Sequence, residues 1–474
     1  MQLLSGLVLV LSSAVAVVGF RSPAFAPKPA SPKRGCNRDN CYRQMIQNAA
    51  QASTFCPTYT ATPCAGAAAL PTFVSMCTGN VASRVSSACS CIVPATSASS
   101  SSISTTSSST ITGSATASAT PTQTPIPTPR ATPTATATCR KPPVRKEWRA
   151  LKRNEKIRYI AAVKCLTRLP AISGINGTIS RFDDFHAVHN IQTPNIHWVG
   201  FFILWHRYFI AAYETALRDE CGWTGGQPYW DWSRDADPTN PSSTAIYETD
   251  VFSATIGFGG NGPFRNNTAE QNPLGLTGRT GGGCVADGPF AYPHFTVNYP
   301  KGPKCLTRDF IPSIMNTFAA QANVDLVLAS ADYTAFARQI ENEPVSSVPN
   351  IHGSGHFGVG GVLGTIGDAS NSPGDPLFYL HHCNLDRILT RWQAVDPARR
   401  LHEVGGPVLP FDYGGVNVTL DFEIDLLPIA PVITLRQALN AEGEVFCYRY
   451  EKEKDDRRRP VVMRPERQRE RTSV

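Results

Sequence analysis

The sequence predicts a mainly α-helical domain crossed by long irregular loops and preceded by a small disulfide-rich module, and three observations predict it. Charged and apolar residues alternate at helical period from Val144 to Leu166, and further helices are expected over Ile179–His189, Phe202–Asp219, Arg308–Ala322 and His382–Ala394. The stretch from Asp235 to Pro303 is rich in Gly, Pro and Asn, the composition of irregular loops. Seven of the 14 cysteines crowd between Cys36 and Cys91, a length whose core is too small to hold without staples.

Taken in chain order, residues 1–26 read as a secretory signal: an apolar run from Leu3 to Phe20 leads to the small-residue site Ala24-Phe25-Ala26. The run lacks a preceding positive charge, but it is too short for a membrane anchor and Pro-rich sequence follows at once. No later segment reads as membrane-spanning. Residues 36–94 form the cysteine-rich module, whose odd count leaves one thiol over, with Cys64 the candidate. Its opening CNRDNCYRQ and its ending SSACSC resemble a small module found ahead of other domains in secreted fungal proteins. A disulfide-held spacer or cell-wall-associating module is expected there. Residues 95–138 are almost entirely Ser, Thr, Ala and Pro and cannot bury enough apolar surface to offset chain entropy, so they form an extended linker.

Residues 139–450 have globular composition and contain all 7 tryptophans, and 451–474 form a charged tail expected to be disordered. Cysteine use in a secreted chain points to disulfides, with Cys383 the candidate free thiol of the globular part. Asn176, Asn266 and Asn417 head N-glycosylation motifs, which agree with an extracellular location. The net charge of +7 is modest and partly concentrated in the tail, so no nucleic-acid partner is inferred.

All 10 histidines lie between His186 and His402. In one cluster, Thr193-Pro194 is expected to break the helix that carries His189, which leaves His197 on a connecting segment. His206 follows nine residues later in an apolar helix. On a continuous helix it would face away from His197, so the two share a metal only if the chain folds back. In the second cluster, His352 and His356 share a helical face, and only one of the adjacent His381 and His382 can point into the same site. His382 is the better choice, with Asp386 one turn later placed to accept from a ring nitrogen or to order the helix. Three imidazoles per metal suit copper, zinc, iron or nickel, the affinity order favours copper, and two sets suggest a dinuclear centre. A zinc hydrolase is disfavoured because His352 and His356 lack the glutamate of a His-Glu-x-x-His motif.

His197 through Phe202, Trp205-His206-Arg207 and Glu214 resemble the first-copper signature of the tyrosinase and catechol oxidase family, the type-3 copper proteins that also include molluscan haemocyanins. Asp375-Pro376, Phe378, His382 and Asp386 resemble its second-copper signature. Tyr229-Trp230-Asp231-Trp232 and Tyr448-Arg449-Tyr450 resemble two further family segments, so the likeness spans roughly Cys139 to Tyr450. The resemblance implies a four-helix bundle holding two copper ions, one on His189, His197 and His206 and the other on His352, His356 and His382. It also implies O2 and small phenols as substrates, with o-diphenols converted to o-quinones. His186 is expected to be a neighbour, His381 to support the site from outside the ligand set, and Phe201, Phe357 and Phe378 are candidates for packing on a substrate ring. Ile366 is placed where the resemblance suggests a side chain gating the entrance.

Two departures bear on activity. Asn195 stands where many relatives have a cysteine crosslinked to a histidine, so no such link can form. Gly353 stands where tyrosinases often have an asparagine that helps a glutamate, here Glu341 or Glu343, hold a water that deprotonates monophenols. Catechol oxidase or o-aminophenol oxidase activity is therefore favoured over full tyrosinase activity. An oxygen carrier would use the same histidines but would occur as repeated units, and this chain has one.

Overall fold

A computed structural model of the protein describes Cys56, Val85, Cys89, Cys139, residues 141–341 and residues 350–452. The signal segment, the linker, most of the cysteine-rich module and the tail beyond residue 452 lie outside them, as do Cys64 and Glu343. The described residues form ten helices and four two-residue strands. The helices are α1 (Arg153–Leu166), α2 (Arg181–Ile196), α3 (Phe202–Cys221), α4 (Pro312–Phe318), α5 (Gln321–Leu328), α6 (Tyr333–Glu341), α7 (Ile351–Gly360), α8 (Leu377–Val395), α9 (Pro397–Arg400) and α10 (Leu435–Ala438). The strands β1 (Val144–Arg145) and β4 (Arg449–Tyr450) pair in parallel; β2 (Glu423–Ile424) and β3 (Ile433–Thr434) pair antiparallel. The fold is mainly α, as expected, and apart from short 3-10 turns residues 235–303 run as irregular loops.

Helix boundaries differ from expectation where specific groups set them. The helix expected from Val144 starts at Arg153, because Val144–Arg145 are drawn into pairing with β4 and the Glu147 side chain caps a 3-10 turn by accepting from the Arg149 amide at 2.7 Å. α2 is entered through a capping box between Ser180 and Asp183. It then runs through Pro194 to Ile196 instead of breaking before it. Proline removes one donor only in this last turn, and the Thr193 hydroxyl bonds the His189 carbonyl at 2.7 Å. The expected helix over Arg308–Ala322 is shorter, because Asp309 and Ile311 donate to the carbonyls of Val359 and Gly358 and Pro312 starts the helix. α8 begins five residues before His382, where Asp375 accepts from the Leu377 amide and pairs with buried Arg308.

Buried side chains of α1, α2, α3, α7 and α8 belong to one continuous core. Disulfides Cys139–Cys447, Cys165–Cys221, Cys284–Cys305 and Cys56–Cys89 are formed, and Cys383 is a buried free thiol that burial pushes up to about 12. The chain ends are tied in beside α8. There Asp386 accepts from Arg145 of β1 at 3.0 Å, from Arg207 of α3, and from the hydroxyls of Tyr448 and Tyr450. Arg145 also pairs with Glu214, so two buried arginines face two buried carboxylates. Among the described residues no helix is long and apolar enough to cross a membrane.

Candidate metal centre

α2 carries His189, and His197 is the first residue past its end, in extended conformation. α3 carries His206, α7 carries His352 and His356, and α8 carries His381 and His382. The chain thus folds back after α2 as the first cluster requires. The candidate ligand atoms of His189, His197 and His206 lie within 4.8 Å of one another, and so do those of His352, His356, His381 and His382. The two groups touch: the His206 and His382 rings stack at 4.4 Å, and those of His197 and His352 lie nearly parallel at 6.0 Å.

Hydrogen bonds decide which nitrogen faces inward in His189, His197, His206 and His356. Nδ1 of His197, His206 and His356 donates to the carbonyls of Thr193 (3.1 Å), Phe202 (2.9 Å) and Ile366 (2.7 Å), and Nδ1 of His189 points at the Ser370 carbonyl at 3.4 Å. With the proton held on Nδ1, the Nε2 lone pair is free for a metal. Nε2 of His189, His206 and His352 is buried with no hydrogen-bond partner, and Nε2 of His356 lies 3.0 Å from Nε2 of His382. Leaving three buried acceptors unpaired costs about 1–3 kcal/mol each. Cations bound between these nitrogens would satisfy them, so the donor set fits two soft-to-borderline metal ions such as copper.

His381 is different. Its Nδ1 accepts from the Trp232 indole at 3.2 Å and its Nε2 donates to the His352 carbonyl at 2.9 Å, so both nitrogens are committed. Burial holds all these imidazoles below their usual range, His197 and His356 down to about 4, and neighbouring imidazoles add to the effect for His189, His206, His352 and His382. The rings are therefore neutral at pH 7, the form that ligates.

Phe378 stacks on His382 at 4.1 Å and also faces His189 and His356, and Phe202 lies 4.5 Å from His206 and 4.7 Å from His352. These two rings wall the pocket. Phe201 instead packs on Phe422 in the core, and Phe357 is half-buried. His186 is not in either cluster; its Nε2 bonds the Asn371 side chain at 3.0 Å. Ile366, expected to gate the entrance, is fully buried, and its carbonyl orients His356. Asp386 makes its hydrogen bonds to arginine and tyrosine side chains and none to an imidazole, so of its two expected roles these partners fit ordering the helix. Buried Glu341 accepts from the amide of Trp198, the residue after His197, at 2.8 Å. At Gly353 a Cβ would make only ordinary contacts, with Asn350 and Phe357 at 3.6 Å. His294, His402, Asn176, Asn266 and Asn417 are exposed.

Sequence reasoning missed Gly355, Trp232, Phe202 as a wall and the orienting carbonyls. A Cβ at Gly355 would come within 2.3 Å of the His381 ring, so α7 can lie against α8 only with glycine there. The His-Gly-Ser-Gly-His spelling of that helix was the available signal; backbone carbonyls leave none.

The family model for the common central domain of tyrosinase matches residues 179–395. A tyrosinase-like protein of Diaporthe leptostromiformis is 33% identical over 336 residues, covering 66% of this chain and 78% of its own length. Tyrosinase P of Aspergillus terreus is 32% identical over 342 residues, covering 66% and 93%. Among solved structures, a glycine-to-asparagine mutant of polyphenol oxidase from Thermothelomyces thermophila is similar at 33% identity with a TM-score of 0.58, covering 65% of this chain and 88% of that one.

Proposed function

The chain belongs to the tyrosinase family and is a copper oxidoreductase with a type-3 dicopper centre, and from that premise we propose that it is a secreted oxidase converting o-diphenols to o-quinones with O2. The balanced reaction takes two o-diphenols and one O2 to two o-quinones and two waters. o-Aminophenols are further substrates, and monophenols are poor ones. Secretion rests on the signal-like residues 1–26 and on the disulfides. His189, His197 and His206 hold one copper, and His352, His356 and His382 the other.

The observation that carries this reading is the set of buried Nε2 atoms of His189, His206 and His352 without hydrogen-bond partners, gathered with the rings of His197, His206 and His356, whose Nδ1 atoms are held by backbone carbonyls. Copper, when bound, supplies the binding of O2 and accepts the electrons of the phenol. The chain's own residues do the rest. The carbonyls of Thr193, Phe202 and Ile366 fix the imidazoles, and Phe202 and Phe378 exclude water and present ring faces. Glu341, beside His197, or Glu343 supplies the carboxylate that holds a water for taking the phenolic proton. Gly353 offers no side chain to position that water, which penalises monophenols more than the more easily oxidised diphenols.

The test is oxygen uptake by the copper-loaded protein with 4-methylcatechol and then with 4-methylphenol, and His382→Ala as control. Uptake on the catechol with little on the phenol supports the proposal. Comparable uptake on both makes the chain a full tyrosinase. Reversible oxygen binding without turnover makes it a carrier.

A further inference from the structure

The six proposed ligands are unequally exposed. His189, His206 and His382 are at most 1% exposed, whereas His197 and His356 are 6% and 8% exposed and His352 is half-buried. The mouth of the pocket therefore lies on the side of His197, His352 and His356, where the rings of His197 and His352 run nearly parallel.

Beside that mouth stands a mutually stacked pair of aromatic rings. Trp198 follows His197, with the two ring centroids 5.9 Å apart, and Phe411 stacks on Trp198 at 4.8 Å and 23°. Phe411 is 45% exposed and Trp198 is half-buried. A phenylalanine kept for core packing would be turned inward. Both residues also have left-handed backbones, φ 53° and 60°, a conformation that bulky side chains rarely adopt.

The surrounding chain holds this arrangement in place. The Trp198 amide donates to Glu341 at 2.8 Å, the Phe411 amide donates to the Trp198 carbonyl at 3.2 Å, and the Gly200 amide donates to the Pro407 carbonyl at 2.8 Å. A Cβ on Gly200 would come within 2.1 Å of the Gly405 carbonyl, so the loop 405–411 lies flush on residues 198–200. Two uncommon backbone conformations, stitched together to hold rings out to water beside a metal ligand, indicate a functional use.

We propose that Trp198 and Phe411 form an aromatic subsite at the mouth of the copper pocket that binds a second ring carried by the phenolic substrate. The proposal rests on the oxidase reading above. A phenol lying against His197 brings an aryl substituent to Trp198 without a spacer, and the substituent extends the Trp198–Phe411 stack. The preferred substrates are accordingly aryl-substituted o-diphenols, not simple catechols.

The test compares 4-phenylcatechol with 4-methylcatechol on the copper-loaded full chain. Phe411→Gly deletes a ring while keeping the left-handed backbone relaxed, and Trp198→Phe keeps a ring in place. KM for the phenyl compound should be about two- to tenfold below that for the methyl compound in the wild type, the range expected for one aromatic pair. The ratio should fall towards one in Phe411→Gly and be largely retained in Trp198→Phe. Independently, saturation-transfer NMR on the copper-free protein should mark the phenyl protons of 4-phenylcatechol, and the mark should fade in Phe411→Gly. A wild-type ratio near one, a ratio unmoved by Phe411→Gly, or absent saturation transfer overturns the subsite. If neither catechol is oxidised, the oxidase reading fails, and the NMR result still decides the subsite.

Discussion

Replacing Asp386 with asparagine removes one negative charge from a buried cluster of two arginines and two carboxylates. In the wild type Asp386 accepts from Arg145 at 3.0 Å, from Arg207, and from the hydroxyls of Tyr448 and Tyr450, the last at 2.6 Å. Glu214 is paired with Arg145, so after the substitution Arg207 loses its carboxylate partner and the cluster carries a net positive charge. Breaking a buried pair from one side costs about 3–5 kcal/mol, because the remaining charge stays out of water. The asparagine recovers part of the hydrogen bonding, which places the expectation at the lower end, about 3 kcal/mol. For a domain of this size that is a fall of about 6 °C in Tm. Because Asp386 lies one turn after His382 on α8, copper retention should weaken too. The assay is thermal and urea denaturation of loaded and copper-free protein, with Tyr450→Phe as a milder comparison costing about 1–2 kcal/mol. A loss below about 1 kcal/mol for Asp386→Asn would refute the reasoning, since the cluster would then not depend on its charge balance.

Burial lowers His186 to about 4 against an ordinary value near 6.5. The unfolded chain therefore takes up a proton first, and stability present above pH 6.5 is lost as pH falls towards 4, by about 3 kcal/mol for this group. His186→Gln should flatten the stability-against-pH curve by about one proton over that window, as read from urea melts at pH 7, 6, 5 and 4.5. Opening the Cys139–Cys447 bridge by a double Cys→Ser change frees a closure of 308 residues and should cost about 6 kcal/mol if chain entropy dominates, measured as a shift in urea midpoint. Gly355→Ala forces a Cβ against the His381 ring and should cost about 1–3 kcal/mol together with loss of copper at the second site, checked by melting and copper content. Gly353→Asn meets only ordinary contacts, so it should fold normally and raise the ratio of 4-methylphenol to 4-methylcatechol turnover by about tenfold or more.

Much of the site was legible because its chemistry is spelled in side chains at fixed spacing. The i, i+4 step of His352 and His356 survives folding as one helical face, and the fold-back between His189 and His206 follows from His197 ending α2. The helical character of the domain was legible for the same reason. What stayed hidden depends on groups distant in sequence. The start of α1 is delayed by strand pairing with residues 449–450, more than 300 positions away, so local periodicity could not reveal it. Pro194 reads as a breaker, yet in the last turn of α2 it removes only one donor. Ring orientation is set by main-chain carbonyls such as that of Ile366, which every residue possesses. Asp386 looked like a partner for histidine because it lies one turn from His382, but the buried Arg145 and Arg207 compete for it more strongly.

The central claim is that six imidazoles on α2, α3, α7 and α8, with His197 just beyond α2, hold two copper ions. Elemental analysis of copper per chain after loading and exhaustive dialysis tests it most directly, in the wild type and in His189→Ala and His352→Ala. The account predicts two copper ions per wild-type chain and no more than one in each variant. A wild type that retains one or none, or a variant that keeps two, would contradict it.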